Sequence, residues 1–346
     1  RVLFRNKKSQ NGTYTAPNQE ERLAMEKQLK VVFMGTPEFA AESLRQIAIS
    51  NHQILAVVTA PDKPAGRGQK LRQSEVKVEA ERLNLSILQP EKLKNQEFLN
   101  ELQRLAPDVI VVVAFRMLPK EVWSLPRMGT FNLHASLLPK YRGAAPINWA
   151  IINGESETGN TTFFINEEID KGKILFQESV AIENDETAGE LHDRLMVSGA
   201  RLVVKTLNAL AANSISPKDQ PSSMPMGMMV EAPKLFKENC RIDWTNKNTT
   251  IFNKIRGLCP HPTAWSTLKS SISGDETPVK IYGAECTSSE ISGVPGTIVT
   301  DGKSYLHVIA GDGVVSIHEI QLAGKKRMKV EEFLRGFKSA ETYRFI

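Results

Sequence analysis

The sequence predicts an α/β protein in which a Rossmann-like, doubly wound domain is followed by a small OB-like β-barrel domain. Three observations lead to this prediction. Apolar strand-like runs alternate with helical patterns over the first part of the chain. Residues 212–233 are rich in Ser, Pro and Met, a composition typical of a linker. Short strand candidates separated by turn residues then follow one another, as expected of a small barrel.

The length of 346 residues favours about two domains over one. Residues 1–24 are polar and contain no apolar run, so we expect a disordered extension or an artefact rather than a secretory signal. The boundaries that we expect beyond it are an α/β domain at 25–211, a linker at 212–233 and the barrel domain at 234–346.

The opening of the first domain has the pattern of a strand, a tight turn and a helix. A Val-rich run from Leu29 to Met34 predicts the strand, and a helical pattern extends from about Glu38 to Ile49. The turn between them, Gly35-Thr36-Pro37, is not G-x-G-x-x-G, so a dinucleotide site is poorly supported. The same plan predicts a strand at 54–59, a helix at 74–85 and a central parallel strand at 108–114.

Composition excludes several classes of protein. The balance of 44 basic and 39 acidic residues gives a net charge of +5, which permits an anionic partner without requiring one. The three cysteines, Cys240, Cys259 and Cys286, are widely separated and predict neither a disulfide framework nor a zinc site. They fit a reducing compartment, and no apolar run approaches the roughly 18 residues of a membrane span. We therefore expect a cytoplasmic protein with no metal.

The candidate reactive residues lie where a predicted strand, Thr130 to His134, ends in a long loop. Alternation along the strand puts Asn132 and His134 on one side. An amide can donate to a developing oxyanion and an imidazole can move a proton near neutral pH, as acyl transfer requires. Asp170 follows a second strand candidate, 161–165, and could orient His134. The structural alternative is a packing histidine beside a turn-forming asparagine.

Two further segments have the composition of binding loops. Ser136-Leu137-Leu138-Pro139 and the Tyr-Arg-Gly-Ala-Ala-Pro run after it are rich in small residues and prolines, which allows a ligand to approach the backbone. The loop at 60–72 contains four basic residues and one acid, so it is either a solvated flexible loop or an arm that contacts phosphates, for example in a groove of RNA. Its basic residues are Lys63, Arg67, Lys70 and Arg72.

The second half of the chain continues with one long helix and a set of short strands. Thr187, with Glu190 at the capping-box spacing, predicts the start of a helix that reaches about Ala211. A helix at 247–258 precedes five strand candidates, and a basic end follows them, with seven Lys or Arg against three acids from Lys325 onward. The five strands are predicted at 264–268, 278–286, 296–300, 304–310 and 314–322.

The block from Asn132 to Pro146, together with Asp170-Lys171-Gly172, resembles the active site of the folate-dependent formyltransferases. Within that superfamily the resemblance is strongest to the branch whose members formylate methionyl initiator tRNA. The loop at 60–72 resembles the tRNA-contacting insertion of that branch, with Arg67 at the matching position. The resemblance covers about residues 29–335 and both domains in the same order. Arg116 departs from it, because it occupies a shortened turn where many relatives have an aromatic–glycine pair.

The resemblance implies transfer of a formyl group from 10-formyltetrahydrofolate to the α-amino group of methionine on initiator tRNA. It implies catalysis by Asn132, His134 and Asp170 and a monomer without a metal. The remaining residues that it assigns are Ser136, Leu137, Leu138 and Pro139 for folate, and Lys63, Arg67, Lys70, Lys325, Lys326 and Arg327 for tRNA.

Other functions remain open from the sequence. A formyltransferase acting on a small amine, or a hydrolase that releases formate, would share the three catalytic residues but would not need the basic loop or the barrel. A tRNA-binding module with an inactive catalytic domain would not need Asn132, His134 and Asp170.

Overall fold

The computed structural model describes residues 28–65, 70–221, 230–287 and 292–346. The chain divides into two compact units. The first contains the described residues up to 131 together with 203–217, and the second contains 132–202 and the described residues from 218 to the end. No helix in the described part of the chain is both long and apolar enough to cross a membrane.

The first unit is built on four parallel strands in the order β6-β1-β2-β5. Strand β6 has the sequence VIVVV and is buried along its whole length, as the near-continuous apolar run predicts. The prediction of an α/β domain with a parallel sheet is confirmed. The elements are β1 (Lys30–Gly35), α1 (Glu38–Ala48), β2 (Gln53–Val58), β3 (Lys63–Ala65), β4 (Lys70–Arg72), α2 (Glu75–Arg82), β5 (Ile87–Leu88), α3 (Gln96–Leu105), β6 (Val109–Val113) and α4 (Lys120–Trp123).

The basic loop contains regular structure that its composition does not predict. Strands β3 and β4 pair as an antiparallel hairpin, with Lys63 opposite Arg72. The base of the hairpin is anchored by Asp62, whose carboxylate accepts hydrogen bonds from Lys77 at 2.5 Å and from Gln89 at 2.9 Å. The two ends of the segment are therefore solvent-exposed, as the loop that we considered from composition would be, but their backbone groups are paired in regular structure.

The second unit begins within β7 (Thr130–His134) and contains the strand order β10-β9-β7. Strands β9 and β10 are antiparallel, with Phe163 opposite Ile174, and the connection between them contains Asp170. The other elements up to the end of the long helix are β8 (Arg142–Gly143), α5 (Pro146–Ile152), β9 (Glu157–Phe164), β10 (Ile174–Ala181) and α6 (Ala188–Ala211).

Helix α6 begins with the capping box that the sequence predicts. The Glu190 backbone N–H donates to Thr187 Oγ1 at 3.3 Å, and the Thr187 backbone N–H donates to Glu190 Oε2 at 2.9 Å. Two backbone donors that the helix cannot satisfy internally thereby receive partners. The predicted start and end of this helix are confirmed.

The rest of the second unit is a nearly closed antiparallel barrel with the strand order β14-β15-β16-β13-β12-β18, and β17 pairs with β16. It nearly closes because Phe345 donates its backbone N–H to Gly296 at 2.9 Å and Arg344 pairs with Thr297. The OB-like prediction is confirmed, although five strands were expected and β17 and β18 add to them. The elements are β11 (Glu231–Ala232), α7 (Asn248–Leu258), β12 (Ala264–Ser270), β13 (Glu276–Thr287), β14 (Ile298–Thr300), β15 (Leu306–Ile309), β16 (Val314–Leu322), β17 (Met328–Lys329), α8 (Val330–Gly336) and β18 (Tyr343–Phe345).

Replacing Thr187 by Ala should lower the free energy of unfolding by about 1 kcal/mol, because the N-terminus of α6 loses its capping oxygen. Urea unfolding followed by circular dichroism measures the change. Arg201→Ala, an exposed position on the same helix, is the matched control and should change the free energy by less than about 0.5 kcal/mol. Equal effects of the two replacements would show that the box does not stabilise the helix.

Candidate active site

Strand β7 places the first two candidate residues where the chain leaves the sheet. Asn132 and His134 are two residues apart on this strand and therefore point to the same side. Asn132 is half-buried, and no described residue forms a hydrogen bond with its side-chain amide. The amide is thus a donor with spare hydrogen-bonding capacity beside an imidazole.

The imidazole of His134 is 6% exposed and has a defined orientation. Its Nε2 lies 2.8 Å from the backbone carbonyl oxygen of Tyr141. Because a carbonyl only accepts hydrogen bonds, Nε2 must carry a hydrogen, and in the neutral ring Nδ1 keeps its lone pair. That Nδ1 lies 3.9 Å from Oδ2 of Asp170, so the nitrogen that can take up a proton faces the carboxylate.

Asp170 is held in position by the backbone. Its Oδ2 accepts a hydrogen bond from the Gly143 N–H at 2.9 Å. Asp170 has φ +54° and Tyr141 has φ +60°, so both residues adopt the left-handed backbone conformation that is uncommon outside glycine. Asp170 contacts Nδ1 of the imidazole and Tyr141 contacts Nε2. Such backbone is strained by about 1 kcal/mol or more per residue and persists only where its surroundings hold it.

The side chain of Tyr141 shows what holds one of these two residues. The phenol is buried and donates to Oε1 of Glu155 at 2.8 Å. Burial raises the pKa of Tyr141 well above its ordinary value, so the hydroxyl stays protonated and continues to donate. This bond anchors the residue whose carbonyl orients His134.

The predicted folate loop is packed against β9 and β10. Ser136 and Leu138 are buried, whereas Leu137 and Pro139 are partly exposed. Thr161 donates its hydroxyl to the Ser136 carbonyl at 2.6 Å, and Gln177 donates to the Leu138 carbonyl at 2.8 Å. The loop is therefore rigid, and at Ser136 and Leu138 a ligand would meet backbone more than side chain.

The three predicted catalytic residues therefore converge, and their arrangement suits acyl transfer. Asn132 offers an N–H donor, His134 offers a nitrogen that can accept or deliver a proton, and Asp170 offers a carboxylate that can stabilise the protonated ring. Within the described ranges, no group of three or more His, Cys, Asp or Glu side chains is placed to hold a metal ion.

The predicted tRNA-binding residues lie in two places. Lys63 and Lys70 are in the β3–β4 hairpin of the first unit, and Arg67 lies outside the described residues. In the second unit Lys325 and Lys326 are exposed in the turn between β16 and β17. Arg327 is already engaged there, because its guanidinium pairs with Glu319 and lies 4.3 Å above the Tyr282 ring centroid.

Arg116, the departure from the family pattern, has a structural role within the first unit. Its guanidinium donates to the backbone carbonyls of Pro90 and Glu91, the latter at 2.7 Å. These hydrogen bonds connect the shortened turn after β6 to the segment that follows β5.

Sequence reasoning missed three residues that support the site: Tyr141, Gly143 and Gln220. The first two lie in the block that carries the resemblance. A glycine within a binding loop is a sequence signal for a backbone position that only glycine tolerates, and the structure gives Gly143 a positive φ. Gln220 donates to the backbone carbonyl of Asp170 at 2.8 Å. It lies fifty residues further along, in a polar segment where no local pattern marks it.

Comparison with known proteins covers both parts of the chain. A family model described as Formyl transferase matches residues 29–207, and one described as Formyl transferase, C-terminal domain matches residues 234–338. A methionyl-tRNA formyltransferase of Bacteroides thetaiotaomicron is 49% identical over 316 residues, which are 91% of this chain and 98% of that protein. One of Flavobacterium johnsoniae is 49% identical over 312 residues, 90% of this chain and 97% of that protein.

Solved structures at lower identity share the fold. WlaRD, a sugar 3N-formyl transferase, aligns with a TM-score of 0.60 at 20% identity over 86% of this chain and 99% of its own. HypX from Aquifex aeolicus also aligns with a TM-score of 0.60 at 20% identity, over 90% of this chain and 48% of its own. At this identity the likeness shows an α/β domain followed by a barrel and nothing about substrates.

Gly143→Ala should destabilise the protein more than a glycine replacement at an open position. A Cβ at Gly143, where φ is +125°, would lie 2.4 Å from the Ala232 carbonyl oxygen. Gly274→Ala is the matched control, since φ is +78° there but no heavy atom lies within 4 Å. Denaturant unfolding should show that Gly143→Ala costs about 1–3 kcal/mol more than the control, because only it overpacks. Similar losses of stability in the two variants would show that the β8–β11 contact shifts to accommodate the added methyl group.

Proposed function

The chain belongs to the formyl transferase family, and we propose that it transfers a formyl group from 10-formyltetrahydrofolate to the α-amino group of methionyl initiator tRNA. The observation that carries the proposal is the 49% identity to a methionyl-tRNA formyltransferase over 98% of that protein's length. Both domains of such an enzyme are therefore represented.

In the proposed mechanism Asn132 donates its amide N–H to the oxyanion that develops when the amine adds to the formyl carbon. A single donor of this kind is worth on the order of 100-fold in rate or more. His134 relays a proton to the leaving folate nitrogen through Nδ1, the nitrogen that the bond to Tyr141 leaves available: Nδ1 first takes up the proton that the amine loses and then gives it to the folate nitrogen. Asp170 orients the imidazole, stabilises its protonated form and helps to collect the proton that the amine loses.

The folate co-substrate is proposed to bind along residues 136–139. Thr161 and Gln177 hold this loop from β9 and β10, so the backbone that meets the pterin-bearing ligand is preorganised. The loop begins two residues after His134, which would bring the formyl group to the catalytic residues.

The tRNA is proposed to contact Lys63, Arg67 and Lys70 of the hairpin and the basic turn at the barrel. Lysine and arginine contacts to phosphates release counterions, so affinity should fall as salt rises. Of the barrel residues, the exposed Lys325 and Lys326 are better placed for phosphates than Arg327, which already pairs with Glu319. The enzyme is further proposed to act as a monomer in the cytoplasm, where its three free thiols would remain reduced.

The acceptor is tested by transfer of labelled formyl from 10-formyltetrahydrofolate. Charged initiator methionyl-tRNA should become labelled, whereas free methionine should not, because it lacks the phosphates that the basic elements contact. Charged elongator methionyl-tRNA should not become labelled either, because the proposed acceptor is the initiator. The signal should weaken as salt rises from 50 to about 200 mM. Formate release or labelling of a small amine without labelling of the tRNA would keep the catalytic residues and replace the substrate.

The catalytic assignment is tested by Asn132→Ala and His134→Ala. Each should lower kcat by about 100-fold or more, because each removes a group that acts in the transition state, and each variant should keep its fold, as circular dichroism would show. His192→Ala, a partly exposed histidine of α6 beside Asp193, is the matched control and should keep full activity. Wild-type turnover in either active-site variant would contradict the assignment.

A further inference from the structure

The segment that follows α6 returns to the catalytic loops. Lys218 and Ile174 exchange two backbone hydrogen bonds, of 2.8 and 2.9 Å, so the segment pairs with the first residue of β10. This pairing brings Gln220, two residues later, to the connection between β9 and β10 that contains Asp170. Gln220 and the residues that it contacts all belong to the second unit.

The Gln220 amide is bonded at both of its ends. Its Nε2 donates to the carbonyl oxygens of Asp170 and Gly172, each at 2.8 Å. Its Oε1 accepts from Nη2 of Arg142 at 2.5 Å. The orientation of the amide follows from its partners, because a guanidinium only donates hydrogen bonds and a carbonyl only accepts them. In a flipped amide the NH2 group would face the guanidinium of Arg142, and the amide oxygen would face the two carbonyl oxygens.

These contacts join the two pieces of backbone that position the catalytic carboxylate. One is the turn from Asp170 to Gly172, in which Asp170 has the left-handed φ of +54°. The other is β8, where Arg142 donates its Nε to the Asp170 carbonyl at 3.2 Å and Gly143 donates its N–H to the carboxylate. Gln220 contacts both pieces, and no other described side chain bonds to all three of Arg142, Asp170 and Gly172.

We propose that Gln220 is a positioning residue for formyl transfer: it fixes the turn at Asp170 against Arg142, and thereby holds the carboxylate at Nδ1 of His134. This inference rests on the proposed function, since it presumes that the Asp170 carboxylate acts in the reaction. The segment after α6 is then a working part of the catalytic centre and not only a connection to the barrel.

The chemistry of the site requires an amide at position 220. A glutamate would keep an acceptor for Arg142 but would place a carboxylate oxygen against two carbonyls. An alanine would leave both carbonyls and the guanidinium without this partner. Gln220→Glu is therefore nearly isosteric with the parent: it removes the two donated bonds and sets a carboxylate oxygen against the two carbonyls, whereas Gln220→Ala removes the whole contact.

The test measures kcat, the KM values for 10-formyltetrahydrofolate and initiator methionyl-tRNA, the thermal midpoint and amide hydrogen exchange at Gly143. Both variants should lower kcat by about 10- to 100-fold, because a small displacement of a catalytic group is enough for such losses. Both KM values should stay within about twofold of the parent, and the Gly143 amide should exchange faster as the carboxylate leaves it. Asp219→Asn, at an exposed neighbour that pairs with Lys173, is the matched control and should match the parent.

Asp170→Asn in the same assay distinguishes failure of the role proposed for Asp170 from failure of the positioning role proposed for Gln220. If Asp170→Asn is inactive while both Gln220 variants keep the parental kcat, the positioning role is wrong and the proposed mechanism stands. If Asp170→Asn is fully active, the role of Asp170 fails, and the positioning role with it. A rise in either KM of the Gln220 variants at unchanged kcat would also overturn the positioning role. If Gln220→Ala does not fold, the kcat of Gln220→Glu decides whether the role is right.

Discussion

The hydrogen bond between Nε2 of His134 and the Tyr141 carbonyl determines what the rest of the site can do. It assigns the ring hydrogen to Nε2 and turns Nδ1 toward Asp170. Without it, either nitrogen could face the carboxylate and the proton would have no defined path. The carbonyl can make this bond only because Tyr141 adopts a left-handed backbone, so the tautomer of the histidine depends on a strained residue seven positions away.

That strain is balanced by contacts from distant parts of the chain. Glu155 accepts from the buried phenol of Tyr141, and Val230 accepts from its backbone N–H at 2.6 Å. On the other side of the ring, Gly143 binds the Asp170 carboxylate and leaves no room for a side chain, because Ala232 packs against it. The catalytic geometry is therefore a product of tertiary contacts and not of the local sequence.

This explains which parts of the protein could be predicted. Strand β6, the capping box at α6 and the five main barrel strands carry their own periodic or capping signals, and the structure confirms them. The convergence of Asn132, His134 and Asp170 was predicted from the resemblance of two segments, the block from Asn132 to Pro146 and Asp170-Lys171-Gly172. The β3–β4 hairpin, β17, β18 and the β8–β11 pairing could not be predicted, because strands of two or three residues have no periodicity and depend on partners distant in sequence.

The same reasoning bears on where the catalytic domain ends. Residues 212–233 have the composition of a linker, yet their two described ends bind the catalytic loops: Lys218 and Gln220 at the β9–β10 side, and Val230 and Ala232 at β8. A chain cut after α6 would keep Asn132, His134 and Asp170 but lose Gln220, one of the groups that hold the last of these. The described ends of this segment thus contact the loops of the candidate active site. Composition alone does not predict these contacts, because they are backbone and amide hydrogen bonds that polar sequences form without a pattern.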